Sequence, residues 1–197
     1  INIKVLAAGS IFLGDMKEPI TGTKDGPKAL NFGIPFTHRP KALRYDYKVQ
    51  VPGTPNRIRQ TGFSKVTTVP GPDYCIAMLL LQKRHEDANG NITAQRVGTV
   101  VVKYGKSTGG WVEDATYEIH YGNITGKSFY NAATMGLRSH DYARNSKGKS
   151  VLVKETGWAP ADATPTHIVL QFSSSHGGAY VGTVGNTFWV DNVGLVY

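Results

Sequence analysis

Alternation with a period of two dominates the chain. In ALRYDYKVQV, residues Leu43, Tyr45, Tyr47, Val49 and Val51 fall on one side; Arg44, Asp46, Lys48 and Gln50 fall on the other. A strand sends successive side chains to opposite faces, so this pattern predicts a half-buried strand. YCIAMLLLQ, from Tyr74, is apolar almost throughout and predicts a more central strand. NGN at 89–91 predicts a tight hairpin, because Asn-Gly tolerates the positive φ such turns need. RVGTVVVKY then returns as the partner strand. ATYEIHY sets Ala115, Tyr117, Ile119 and Tyr121 against Thr116, Glu118 and His120. THIVLQFSS sets Ile168, Leu170 and Phe172 against His167, Val169 and Gln171. A last strand is predicted over 187–196. The pattern is weakest between Gly122 and Pro165, where NAATMGLRSHDYA fits a short helix or loop and VLVKE a short strand.

Many short strands punctuated by Gly and Pro, without long helical periodicity, predict an all-β, two-sheet antiparallel β-sandwich of the jelly-roll kind. At 197 residues, with no linker or internal repeat, we expect a single domain over 1–197. The chain opens on Ile1 inside an already patterned stretch, INIKVLAAGSIF. We therefore expect it to be the C-terminal part of a longer, secreted protein.

Composition narrows the chemistry. The net charge of +8 favours acidic partners in general, but Lys and Arg are scattered and stop at Lys154. The densest group, Arg138, Arg144, Lys147, Lys149 and Lys154, is interleaved with Gly and Ser and reads as a solvated loop. With no recognition motif besides, nucleic acid is not expected. Cys75 is the only cysteine, which excludes an internal disulfide and a cysteine-type zinc site. No apolar run is long enough for a transmembrane helix.

Two stretches imitate catalytic motifs and fail on spacing. YGKSTGG contains Gly-Lys-Ser, but a phosphate-binding loop needs glycine where Val100 stands and a helix afterwards. SSSHGG, from Ser173, lacks a nucleophile elbow; a triad could draw on Ser173 to Ser175 with His176 and Asp191, but adjacent Ser and His on extended chain point apart, which discourages a Ser175–His176 pair. It reads instead as the loop between the last two strands.

Three blocks carry a family resemblance: FGIPFTHRPKALRYDYKVQVPG from Phe32, PDYCIAMLLL from Pro72, and the closing SSSHGGAYVGTVGNTFWVDNVGLVY. In that order they resemble the putative carbohydrate metabolism domain family of gut Bacteroidetes. The resemblance implies a jelly roll similar to galactose-binding and carbohydrate-binding modules. It also implies a polysaccharide or oligosaccharide partner, and an extracytoplasmic location at the surface, outer membrane or periplasm of a Gram-negative bacterium. An upstream immunoglobulin-like domain is implied as well. No catalytic motif transfers with it. Similar jelly rolls hold a structural calcium ion, for which Asp191 is the candidate ligand; no other cofactor is implied.

A sugar offers apolar C–H faces to aromatic rings and hydroxyls to carboxylates and guanidinium groups. Trp111, after STGG, and Trp158, before APADATP, stand in loop-like contexts. With Arg44, Asp46, Glu118 and His120 from polar strand faces they form the candidate sugar-binding set. Trp189, within the last strand, reads as packing. Asp46 and Glu118 are also the candidate carboxylate pair of a glycoside hydrolase, which needs a sugar-sized gap between them. Three functions thus stand: a carbohydrate-binding module, a glycoside hydrolase, and a structural or adhesive module that binds proteins.

Overall fold

The structure is a computed structural model and describes residues 4–17, 26–62 and 65–197. The opening Ile-Asn-Ile of the patterned N-terminus lies outside the described residues. The chain forms a β-sandwich, and the sequence pattern accounts for its main layers.

The larger sheet is built on the hairpin of β8 (Cys75–Glu86) and β9 (Ile92–Tyr104), whose turn carries Gly90 at φ +85°. β14 (His167–Ser173) pairs with the outer side of β8, and β1 (Ser10–Phe12) with β14. On the other flank, β13 (Ser150–Trp158) joins β9 and carries β12 (Asp141–Arg144) at the edge. β13 runs parallel to β9, so the expected purely antiparallel sandwich has one parallel pairing. Short β4 (Ile34–Pro35) and β11 (His120–Tyr121) complete this sheet.

Facing it is a three-stranded sheet with β5 (Ala42–Gln50) at the centre, flanked by β10 (Val112–Glu118) and β16 (Thr187–Val196). Three further strands, β6 (Asn56–Arg59), β7 (Thr67–Pro70) and β15 (Val181–Gly182), form a small sheet near one end. β2 (Gly14–Met16) pairs with β3 (Leu30–Phe32). Two one-turn helices, α1 (Gly26–Ala29) and α2 (Ala132–Met135), complete the described elements.

The core lies between the two main sheets. Leu43, Tyr45 and Val49 of β5 meet Ala77, Leu79 and Leu81 of β8, Val97 and Val100 of β9, and Ile168 and Phe172 of β14. The inward positions of the ALRYDYKVQV alternation are thus core positions. Tyr104 hydroxyl is hydrogen-bonded to those of Tyr45 and Tyr117, so two sheets share one buried phenol chain. Burial raises the pKa of both Tyr45 and Tyr104, so these hydroxyls stay protonated.

β8 and β14 are apolar on their second face too. Val169, expected on a polar face, is fully buried with Met78, Leu80 and Phe32 beneath the β2–β3 hairpin. Cys75 is fully buried, and its thiol is pushed up to about 12, chiefly by burial.

Candidate functional site

The outward face of the three-stranded sheet carries the polar half of the β5 alternation: Arg44, Asp46, Lys48 and Gln50. On β16, Trp189 stands opposite Lys48 and Asp191 opposite Asp46. Parity therefore puts Trp189 on this open face, and it is 37% exposed. The expectation that Trp189 is packing is corrected: it shares the face of Asp191, not that of Phe188 and Val190, which pack on the core. On the other side, Val112 of β10 stands opposite Tyr47. Trp111, immediately before this strand, is 48% exposed. Trp189 lies on β16 and Trp111 leads into β10, so the two belong to elements on opposite sides of the central strand. The Lys48 ammonium lies over the Trp189 ring, 4.5 Å from its centroid.

Asp46 sits at the middle of this face and organises it. Both flanking strands are irregular beside it: the register shifts between Val112 and Ala115 on β10 and between Asp191 and Gly194 on β16. Asp114 and Asn192, within these irregularities, have φ of +53° and +49°. The Asp114 N–H donates to Asp46 Oδ1 at 2.6 Å, and Asn192 Nδ2 donates to Oδ2 at 2.7 Å. Positive φ is unfavourable for a residue other than glycine, and the carboxylate compensates by holding both bulges. The Asn192 and Asp114 hydrogen bonds lower the Asp46 pKa. Arg44 is 3.7 Å from Asp114 across the face.

Other expected site residues are dispersed. Glu118 stands opposite Ala42, four positions along β5 from Asp46 on the same face. That offset is about 14 Å, beyond the gap of about 5–9.5 Å between glycosidase carboxylates. His120 does not share the face of Glu118. Buried Ile119 separates β10 from β11, which pairs with β9 in the other sheet, and His120 stacks on Phe129 at 4.1 Å. Trp158 is not in a loop: it ends β13, half-buried, with the Arg96 guanidinium 5.6 Å from its ring centroid. Of the expected sugar contacts, Arg44 and Asp46 share a face with Trp189 and Lys48, and Trp111 leads into the neighbouring strand β10. Among the described residues, no group of three or more His, Cys, Asp or Glu side chains could hold a metal ion. Asp191 Oδ1 accepts the Asn192 N–H at 2.8 Å.

Two polar clusters escaped the sequence reading. The first uses the SSSHGG loop. Asp73, 3% exposed, accepts from His176 Nδ1 (2.8 Å), Ser175 Oγ (3.0 Å) and the Thr183 N–H (2.8 Å). The histidine's other nitrogen, Nε2, is 3.1 Å from Arg57 Nη1, so it accepts there and Nδ1 carries the proton. The ring stacks on Tyr74 at 3.6 Å. Nε2 thus faces Arg57 rather than the loop's own serines, and the cluster ties the loop to β6 and the start of β8. The second is the fully buried Arg96, paired with Glu155, which also accepts from Gln82 Nε2 and the Arg138 N–H. Arg96 reaches the carbonyls of Met135 and Gly136, pinning the segment after α2. The basic segment is also engaged: Arg138 binds Asp141 at 2.6 Å and Arg144 binds Asp15 at 2.6 Å.

The outward face of this sheet thus carries the exposed indole of Trp189 beside charged groups of both signs. The chain belongs to the family described as "Putative carbohydrate metabolism domain", whose model matches residues 1–196. The fold is shared with a crystal structure titled as a putative glycoside hydrolase from Bacteroides thetaiotaomicron VPI-5482. The two are 21% identical with a TM-score of 0.57, over 97% of this chain and 47% of that one. The chain thus spans about half the length of that protein. No curated protein matches the sequence.

Proposed function

We propose that this chain is a carbohydrate-binding domain that holds a glycan across the open face of its three-stranded sheet. The observation that carries this is a pair of exposed tryptophans: Trp189 opposite Lys48 on β16, and Trp111 at the entry to β10 on the other side of β5. Their rings would take the C–H faces of sugar residues, while Arg44, Lys48, Gln50 and Asp191 stand within the same surface for hydroxyls. The family's carbohydrate-related role supports the ligand class.

Binding is favoured over hydrolysis for two reasons. Asp46 spends both carboxylate oxygens on Asp114 and Asn192, and Glu118 lies about 14 Å along the sheet from it. The face is also open, whereas a general acid needs a pocket that holds its neutral form. We place the domain outside the cytoplasm of a Gram-negative bacterium, as part of a larger glycan-handling protein.

Titration against a glycan array, followed by calorimetry on the hits, tests this. Trp189→Ala and Trp111→Ala are each expected to weaken binding by at least about tenfold, while Trp158→Phe leaves it within about twofold. Absence of binding to every glycan, or binding indifferent to both tryptophans, would overturn the reading.

A further inference from the structure

The three strands that carry the binding face are acidic in a basic chain. Across β5, β10 and β16 stand the carboxylates Asp46, Glu113, Asp114, Glu118 and Asp191, against only Arg44 and Lys48. Yet the whole chain carries +8. Arg44 is already opposed by Asp114. The remaining cation, Lys48, lies over the Trp189 ring, where a sugar would stack. An aromatic face attracts a cation held over it, and nearby carboxylates strengthen that attraction. The face therefore already accommodates one ammonium against an indole, within an acidic rim.

We infer that this face selects glycans by charge. It takes chains bearing amino sugars most tightly, neutral chains less so, and rejects uronate-bearing chains despite the protein's basic character. An amino group of the ligand would meet Asp191, or Asp114 in exchange for Arg44, while its ring stacks on Trp111 or Trp189. A uronate would meet the same carboxylates as a like charge. The inference rests on the binding reading above and adds the ligand class to it.

One oligosaccharide backbone in three charge states tests it. Calorimetry on the intact domain would compare hexamers of β-1,4-linked glucosamine, glucose and glucuronic acid, with Trp189→Ala as the control that assigns each signal to this face. Contacts with surface charges are individually modest, so the glucosamine hexamer is expected to bind about three- to tenfold tighter than the glucose hexamer. Added salt should erode that margin. The glucuronate hexamer should show only weak association that survives Trp189→Ala, through the basic remainder of the surface. Asp114→Asn combined with Asp191→Asn should bring the amino and neutral hexamers to equal affinity. Equal affinities for all three in the unmodified domain, or tryptophan-dependent binding led by the glucuronate, would overturn the charge preference and leave the binding reading standing. No tryptophan-dependent signal from any hexamer, combined with an empty glycan array, would remove both.

Discussion

Asp46 illustrates how a residue type suggests one role and its surroundings another. Its position on a polar strand face made it a candidate acid or base, yet each of its oxygens closes a bulge in a neighbouring strand. Asp46→Ala should therefore loosen both sides of the face together. We expect amide exchange at Asp114 to rise by roughly tenfold, with Trp111 and Trp189 emission shifting to the red. Unchanged exchange would show that the bulges hold themselves. The hydrogen bonds that lower its pKa stabilise the fold at neutral pH, and that contribution is lost as pH falls from the usual carboxylate range through the lowered value. Arg96 and Glu155 present the buried counterpart. Both side chains are inaccessible to solvent, so removing one strands the other's charge. Glu155→Ala should cost about 3–5 kcal/mol in urea unfolding; a loss below 1 kcal/mol would mean that the guanidinium finds other acceptors among the Thr99, Met135 and Gly136 oxygens it already reaches.

At the scale of elements, the strand that changes sheets decides which residues meet. The alternation in ATYEIHY runs unbroken, and nothing in it marks the crossover at Ile119. Sequence period reports which side of a strand is buried; it does not report which neighbour the strand pairs with. For that reason the inward sets of β5, β10 and β14 were legible, as were the Asn-Gly hairpin and the extent of β16. The separation of His120 from Glu118 and the parallel pairing of β13 with β9 were not. Trp189 was legible in principle, since it shares parity with Thr187 and Asp191. Asp73 and Arg57 were not, because their partner His176 is more than 100 residues distant along the chain. The crossover also needs close packing. A Cβ at Gly98 would lie 2.8 Å from Ile119 Cγ2 and 3.2 Å from Leu81 Cδ1. Gly98→Ala should destabilise the domain by about 1–3 kcal/mol through overpacking, read from the urea midpoint; a neutral effect would show that Ile119 can change rotamer freely.

For the whole molecule, His140, His167 and His176, whose pKa values are all lowered chiefly by burial, link stability to pH; the last two are the ones held within the sandwich's hydrogen-bond network. His167 is pulled down to about 4 by burial, with the Arg84 guanidinium adding to it, and burial likewise lowers His176 despite Asp73. Both are neutral in the folded protein, while the unfolded chain takes up protons near pH 6.5. Stability is therefore full above that value and declines as pH falls from about 6.5 toward 4. The melting temperature should drop across this window, and His167→Gln should make the decline shallower; an identical slope in the variant would assign it elsewhere. The lone thiol bears on how such measurements are made. Cys75 lies sealed beneath the sandwich with a thiol too basic to react at neutral pH. A new cysteine placed beside either indole would then be the single labelling handle on the native fold. A fluorophore attached there could follow ligand arrival directly, with no need to engineer the natural cysteine away.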